Sequence, residues 1–241
     1  MKHYEYINYE DEESIFYITP CEIKRDSEKE IIAHSLGALL YMPALREQIA
    51  YDIINKKYKG LKSIALCLED AIGDKQIEES ERGITSIFEK LNNGIKSEKI
   101  DYEEIPFIFI RIRDIKQMEE IACRIGENIK FLTGFIFPKF IAENGEQYFK
   151  ELLNINKKYS KKIYGMPILE TRDIMYKELR GESLKKISEV LNSYSELVLN
   201  VRIGATDFAN LFGIRRGYDI NIYDIAVLRD CISDIINMFS R

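Results

Sequence analysis

Histidine and cysteine are scarce in this chain, and neither is spaced for catalysis. The 241 residues hold two histidines, His3 and His34, and four cysteines, Cys21, Cys67, Cys123 and Cys231. No cysteine stands within metal-ligand spacing of another, and no Ser/His/Asp or Cys/His arrangement is legible, which disfavours covalent hydrolysis. Cys67 lies inside the apolar run SIALCLED, where a thiol behaves as a small hydrophobe. The cysteines therefore read as reduced thiols of a cytoplasmic protein. Excess basic charge is also lacking. A net charge of −5 argues against a nucleic-acid partner, because neutralising phosphates needs a basic face. No apolar run approaches membrane-spanning length, so no membrane partner is expected, and the polar, acidic start MKHYEYINYEDEES is no signal peptide. No linker rich in Pro, Gly or Ser divides the chain, and no G-x-G-x-x-G follows the first strand, which weakens a dinucleotide-binding reading.

What is present is a repeated alternation. Residues 1–34 read as an irregular leader, with weak strand character at SIFYITPCEI. The single domain then runs over 35–241. Apolar, strand-like runs cover 35–43, 62–70, 105–114, 132–139, 162–170 and 196–204. Helical patterns cover 44–59, 75–91, 116–128, 143–159, 172–193, 206–212 and 222–239, the last with Asn221 as its N-cap. Near-continuous apolar strands such as KSIALCLED suit a parallel sheet buried on both faces. One βα unit about every thirty residues predicts an α/β fold. Polar residues gather at the C-terminal ends of these strands, the face where (β/α)8 TIM barrels place their active sites. Eight units close such a barrel and about six are visible. The expectation is a barrel incomplete at its C-terminal end, or one whose leader supplies a strand.

Two acids stand out. Glu170 follows KIYGMPIL, and Asp207 follows LVLNVRIG by two residues. Acids at adjacent strand ends meet in one pocket. Burying one ionised carboxylate costs several kcal/mol, and two unpaired ones do not both stay charged. A divalent cation resolves the conflict, and hard oxygen ligands suit Mg²⁺ or Mn²⁺. The plainer reading of Asp207 is an N-cap for the short helix behind it. Arg111, in FIFIRIR, alternates onto one face with Arg113. An arginine in an apolar strand needs an anion: a salt bridge to Glu69 or Asp70, or a substrate carboxylate gripped by its planar fork. Lys139 divides between a site cation and a surface lysine. The basic pair Arg215-Arg216 reads first as a solvated loop.

Six segments, in order along about 35–240, resemble the HpcH/HpaI aldolase and citrate lyase β-subunit family. ALLYMPALR resembles the family's first strand, LCLEDAIGD its D-L-E-D-A-V segment, and FIRIRD its V-R-V-N, with Arg113 where the family has Asn. GFIFPKF resembles the strand ending in Pro-Lys, PILET the I-E-T/S strand, and RIGATDFANLFG the F-G-x-x-D segment. The branch is similar to lyases of tellurium-resistance-type stress operons. The resemblance implies a TIM barrel that makes or breaks carbon–carbon bonds through a metal-stabilised enolate, on a 2-keto acid or a coenzyme A thioester. It implies Glu170 and Asp207 as ligands of Mg²⁺ or Mn²⁺, and Arg111 on the substrate's carboxylate or enolate oxygen. Glu69, Asp70 and Lys139 become supporting catalytic groups, and the assembly a homo-oligomer. Rival readings are a non-catalytic barrel that binds a metabolite or a partner protein of a stress response, and a phosphoenolpyruvate-type enzyme.

Overall fold

The computed structural model describes residues 1–240. The chain opens with two short helices, α1 (Tyr9–Ile15) and α2 (Lys29–Ser35). Strands and helices then alternate: β1 (Leu40–Pro43), α3 (Ile49–Ile54), β2 (Ser63–Cys67), α4 (Ile77–Lys96), β3 (Phe107–Arg111) and α5 (Ile115–Ile125). They continue through β4 (Leu132–Phe137), α6 (Ala142–Tyr159), β5 (Tyr164–Leu169), α7 (Arg172–Met175), α8 (Lys177–Ser193), β6 (Arg202–Ile203), α9 (Ala205–Leu211) and α10 (Ala226–Phe239). The six strands are all parallel and stand in chain order, as in a (β/α)8 barrel. Among the described residues no helix is long and apolar enough to cross a membrane.

Alternation along the strands splits the core in two. Ile64, Leu66, Ile108, Ile110, Phe135 and Phe137 face outward and pack against the helices. Ala65, Phe107, Phe109, Ile136, Tyr164 and Ile168 face inward and fill the barrel interior. α4 shows why the helices sit where they do: Ile84, Ile87, Phe88 and Leu91 recur at helical spacing and are all buried. α5 starts at Asp114, whose side chain accepts the Gln117 N–H.

The leader is structured, and it contributes no strand to this sheet. SIFYITPCEI is not a strand: its one ladder contact is an isolated bridge between Lys2 and Glu22. Ile23, Ile32 and Leu36 instead enter the inner cluster. Arg25, 5% exposed, donates from Nη1 to Ile105 O at 2.8 Å and Pro106 O at 2.5 Å, and from Nη2 to Phe131 O at 2.5 Å. Those carbonyls lie just before β3 and β4, so the leader seals the N-terminal end of the barrel.

Three other expectations are corrected. β1 begins at Leu40 rather than at residue 35, because α2 runs to Ser35 and Gly37 turns the chain at φ +60°. The run 196–204 pairs only in patches. Leu199 N donates to Gly165 O at 3.0 Å and Gly204 N to Leu169 O at 3.0 Å, leaving β6 two residues long. Asn221 caps a single 3₁₀ turn at 222–224, and α10 starts at Ala226.

Candidate functional site

Every strand from β2 to β5 ends in a charge. Arg111 closes β3 with 8% exposure, and its register partner Cys67 closes β2. Glu69 and Asp70 follow β2, Lys139 follows β4, and Glu170 follows β5 directly at 5% exposure. These residues meet. Arg111 Nη2 lies 2.7 Å from Glu69 Oε2 and 3.4 Å from Glu170 Oε1, while Nη1 lies 2.8 Å from Asp70 Oδ2. Lys139 contributes twice: Nζ donates to Glu69 Oε1 at 2.5 Å, and its backbone N–H donates to Glu170 Oε1 at 2.8 Å. The turn that makes this possible holds Lys139 at φ +48°, a left-handed conformation uncommon for a residue with a Cβ.

Asp207 joins from the far side. It lies in the first turn of α9, whose N-cap is Gly204 and which has no side-chain cap, so capping is not its role here. A Cβ built on Gly204 would lie 2.5 Å from Glu170 Oε2 and 3.3 Å from Asp207 Oδ2. The second oxygen of Glu170 and an oxygen of Asp207 thus both lie beside the bare backbone of Gly204. The two oxygens are separated by no more than the sum of those distances.

Burial pushes the Glu170 carboxyl up from 4.5 to about 7. The Lys139 N–H and the Arg111 charge pull it down, and Asp207 and Glu69 add to the rise. Arg111 also holds its proton more tightly: burial works against its charge, but Glu69, Glu170 and Asp70 outweigh it. Asp70 sits below its usual range; burial opposes this, and a hydrogen bond with Glu69 and the Arg111 charge win. Lys139 is raised by its bond to Glu69.

Glu170 and Asp207 are oxygen donors of the kind a hard divalent cation takes. Among the described residues no group of three or more His, Cys, Asp and Glu side chains is placed to hold a metal ion. Mg²⁺ needs none, since it keeps several waters and takes one or two carboxylates plus substrate oxygens. Charge supports the fit. Glu69, Asp70, Glu170 and Asp207 outnumber Arg111 and Lys139, and the deficit appears where Glu170 is pushed toward neutrality. Polar atoms buried without partners on these elements include Arg111 Nε, Thr171 Oγ1 and Asn200 Oδ1.

Residues 30–241 match the family described as C-C_Bond_Lyase of the TIM-Barrel fold. The chain belongs to this family of C–C bond lyases. Among curated proteins no sequence matches it. A solved structure with the same fold is the Haloferax volcanii malate synthase lead(II) complex, at 12% identity and a TM-score of 0.59. That match covers 84% of this chain and 59% of the malate synthase, so the chain spans less than two thirds of its neighbour's length. CitE from Mycobacterium tuberculosis, in complex with magnesium and acetate, aligns at 16% identity over 84% of this chain and 70% of its own, with a TM-score of 0.48. RipC from Yersinia pestis aligns at 14% identity over 83% and 74%, with a TM-score of 0.47.

Glu69, Asp70, Arg111, Lys139, Glu170 and Asp207, all singled out in the sequence, lie at this end of the barrel. Arg113 lies at the same end but does not join them. β3 ends at Arg111, and the Arg113 guanidinium turns to Ile72 O at 3.3 Å and Asp74 Oδ1 at 2.5 Å. Arg215 and Arg216 are exposed, as the solvated-loop reading expects. The structure adds three residues that the sequence reading passed over: Tyr41, Arg202 and Gly204. Arg202 carried the same signal as Arg111, a cation inside an apolar run.

Proposed function

We propose that this chain is a lyase or aldolase that breaks or joins a carbon–carbon bond next to the carbonyl of a 2-keto acid, with Mg²⁺ or Mn²⁺ held by Glu170 and Asp207. The observation that carries the reading is the pairing of buried Glu170 with Asp207 beside Arg111. A carboxyl held at about 7 against its ordinary 4.5 gains most from a cation at that place. A divalent cation bound there supplies Lewis-acid polarisation of a carbonyl oxygen.

The side chains do the rest. Arg111 presents fixed positive charge where negative charge builds on the substrate oxygen as the bond breaks, a contribution of about 3–4 kcal/mol for one preorganised donor. Its Nε–H, buried without a partner, is the donor left for the substrate. Glu69 and Asp70 grip the two Nη atoms and fix the plane of the guanidinium. The Lys139 N–H fixes Glu170 Oε1, so that Oε2 faces Asp207.

Isothermal titration with oxalate, a planar mimic of the pyruvate enolate, tests this. Binding is expected only with Mg²⁺ or Mn²⁺ present, and to be lost in Glu170→Gln and Asp207→Asn. Equal affinity in EDTA would overturn the metal-dependent reading.

A further inference from the structure

The interior face of the barrel is open at one place, and a cation stands in the opening. In β5–β6 pairing Arg202 is the register partner of Ile168, and Ile168 faces the barrel interior, so Arg202 does too. Across the sheet, Tyr41 is the register partner of Ala65, which also faces inward. The two side chains meet between the first and last strands: the Arg202 guanidinium carbon lies 5.8 Å from the centre of the Tyr41 ring. Outward Met42 is buried at 4%, like the outward residues of the other strands, while inward Tyr41 is 38% exposed. Tyr41 is thus reached by solvent at this seam.

Arg202 is half-buried, and none of its described contacts is a carboxylate. That sets it apart from Arg111, which is held by three acids. The Tyr41 phenol lies within the field of both guanidiniums, which oppose the rise that burial imposes on it. Two residues beyond Arg202 the backbone of Gly204 touches Glu170 and faces Asp207. A ligand seated at the acid pair thus has one arginine on the side of β3 and another, unpaired, on the side of β6.

We propose that Arg202, steadied over the Tyr41 ring, is an anion anchor that selects a dianionic substrate: it receives a distal carboxylate or phosphoryl group while the keto-acid end lies at Arg111, Glu170 and Asp207. The proposal rests on the lyase reading for its near end only. An arginine fork matches both oxyanions, and contact with the Tyr41 ring together with a hydrogen bond to its phenol holds the guanidinium in place while leaving its other donors for a ligand.

Three probes that differ only in their distal group test it. Pyruvate has none, oxaloacetate has a carboxylate, and 3-phosphonopyruvate has a phosphonate. Titrated with Mg²⁺ into the full chain, the wild type should bind one of the dianions at least tenfold tighter than pyruvate, and the better one names the group. Arg202→Gln should bind pyruvate as the wild type does and lose the preference; Arg202→Lys should keep part of it. A preference that survives Arg202→Gln overturns the proposal. A role confined to closing the seam predicts a lower Tm in Arg202→Gln with unchanged relative affinities, and that result overturns it too. If the wild type binds none of the three, the Arg side-chain Nε–Hε resonances of ¹⁵N-labelled protein decide. An Arg202 signal that moves with succinate keeps the anchor while the lyase reading falls; a signal that stays still removes both.

Discussion

Glu170 lies against the bare backbone of Gly204, with no room for a methyl group between them. A Cβ there would sit 2.5 Å from Glu170 Oε2 and closer still to the Glu170 Cβ. The residue must be glycine for reasons of approach, since its φ of −87° is open to any amino acid. Gly204→Ala is therefore expected to push Glu170 off Asp207. Overpacking of this kind costs about 1–3 kcal/mol, and the sharper readout is Mg²⁺ affinity, which should fall at least tenfold. An alanine variant with wild-type Mg²⁺ affinity would show that the close contact does not set the acid pair.

Glu170 also gives the protein a pH dependence with a definite sign. Its carboxyl binds a proton more tightly folded, at about 7, than unfolded, near 4.5. Stability from this group is fully present below 4.5 and is lost as pH rises through about 7. The loss is about 3 kcal/mol from the size of the shift. Denaturant midpoints from pH 5 to 8 in EDTA should fall for the wild type and stay flatter for Glu170→Gln. Identical slopes in the two proteins would refute the assignment.

Mg²⁺ should reverse this trend by favouring the ionised form. Bound to the folded state alone, it stabilises by about 2.7 kcal/mol at a hundredfold excess over Kd. Asp207→Asn removes a ligand and a repulsion together, so its melting temperature in EDTA should equal or exceed that of the wild type, with little gain from Mg²⁺. Equal Mg²⁺-induced shifts in both proteins would remove Asp207 from the metal site.

Arg25→Met tests the seal at the other end of the barrel. The variant keeps most of the side-chain length and leaves the carbonyls of Ile105, Pro106 and Phe131 without their donor. A buried group left unsatisfied costs about 1–3 kcal/mol, so a stability loss of at least that size is expected. Mg²⁺ affinity should be unchanged, because these carbonyls lie at the opposite ends of the strands from Glu170. A variant of undiminished stability would mean that the leader is held by its apolar contacts alone.

The strand ends were legible in the sequence because burial makes them so. An apolar run on both faces of a parallel strand can end only where the chain meets polar surroundings, and Glu69, Arg111, Lys139 and Glu170 mark those points. Asp207 was placed by the same logic, although its strand is reduced to Arg202–Ile203. The reading failed where apolar character serves something other than a strand. Leu197 packs outward and Leu199 inward, with irregular pairing between them, and alternation alone does not reveal the break. Arg113 obeys alternation on paper, but β3 stops at Arg111 and frees its side chain to turn away. In the leader, Ile23, Ile32 and Leu36 are too sparse to form a period, and what they fill is defined only by strands far along the chain.

That last distance orders events in time. Arg25 hydrogen-bonds carbonyls 80, 81 and 106 residues downstream. Synthesis runs from the N-terminal side, so the leader emerges before β3 and β4 exist to receive it. Until then Ile23, Ile32 and Leu36 have no barrel interior to enter, and the loop to be closed is long. The leader is thus made well before the strands it packs against, and the bottom of the barrel is sealed by a piece of chain that must wait for the walls.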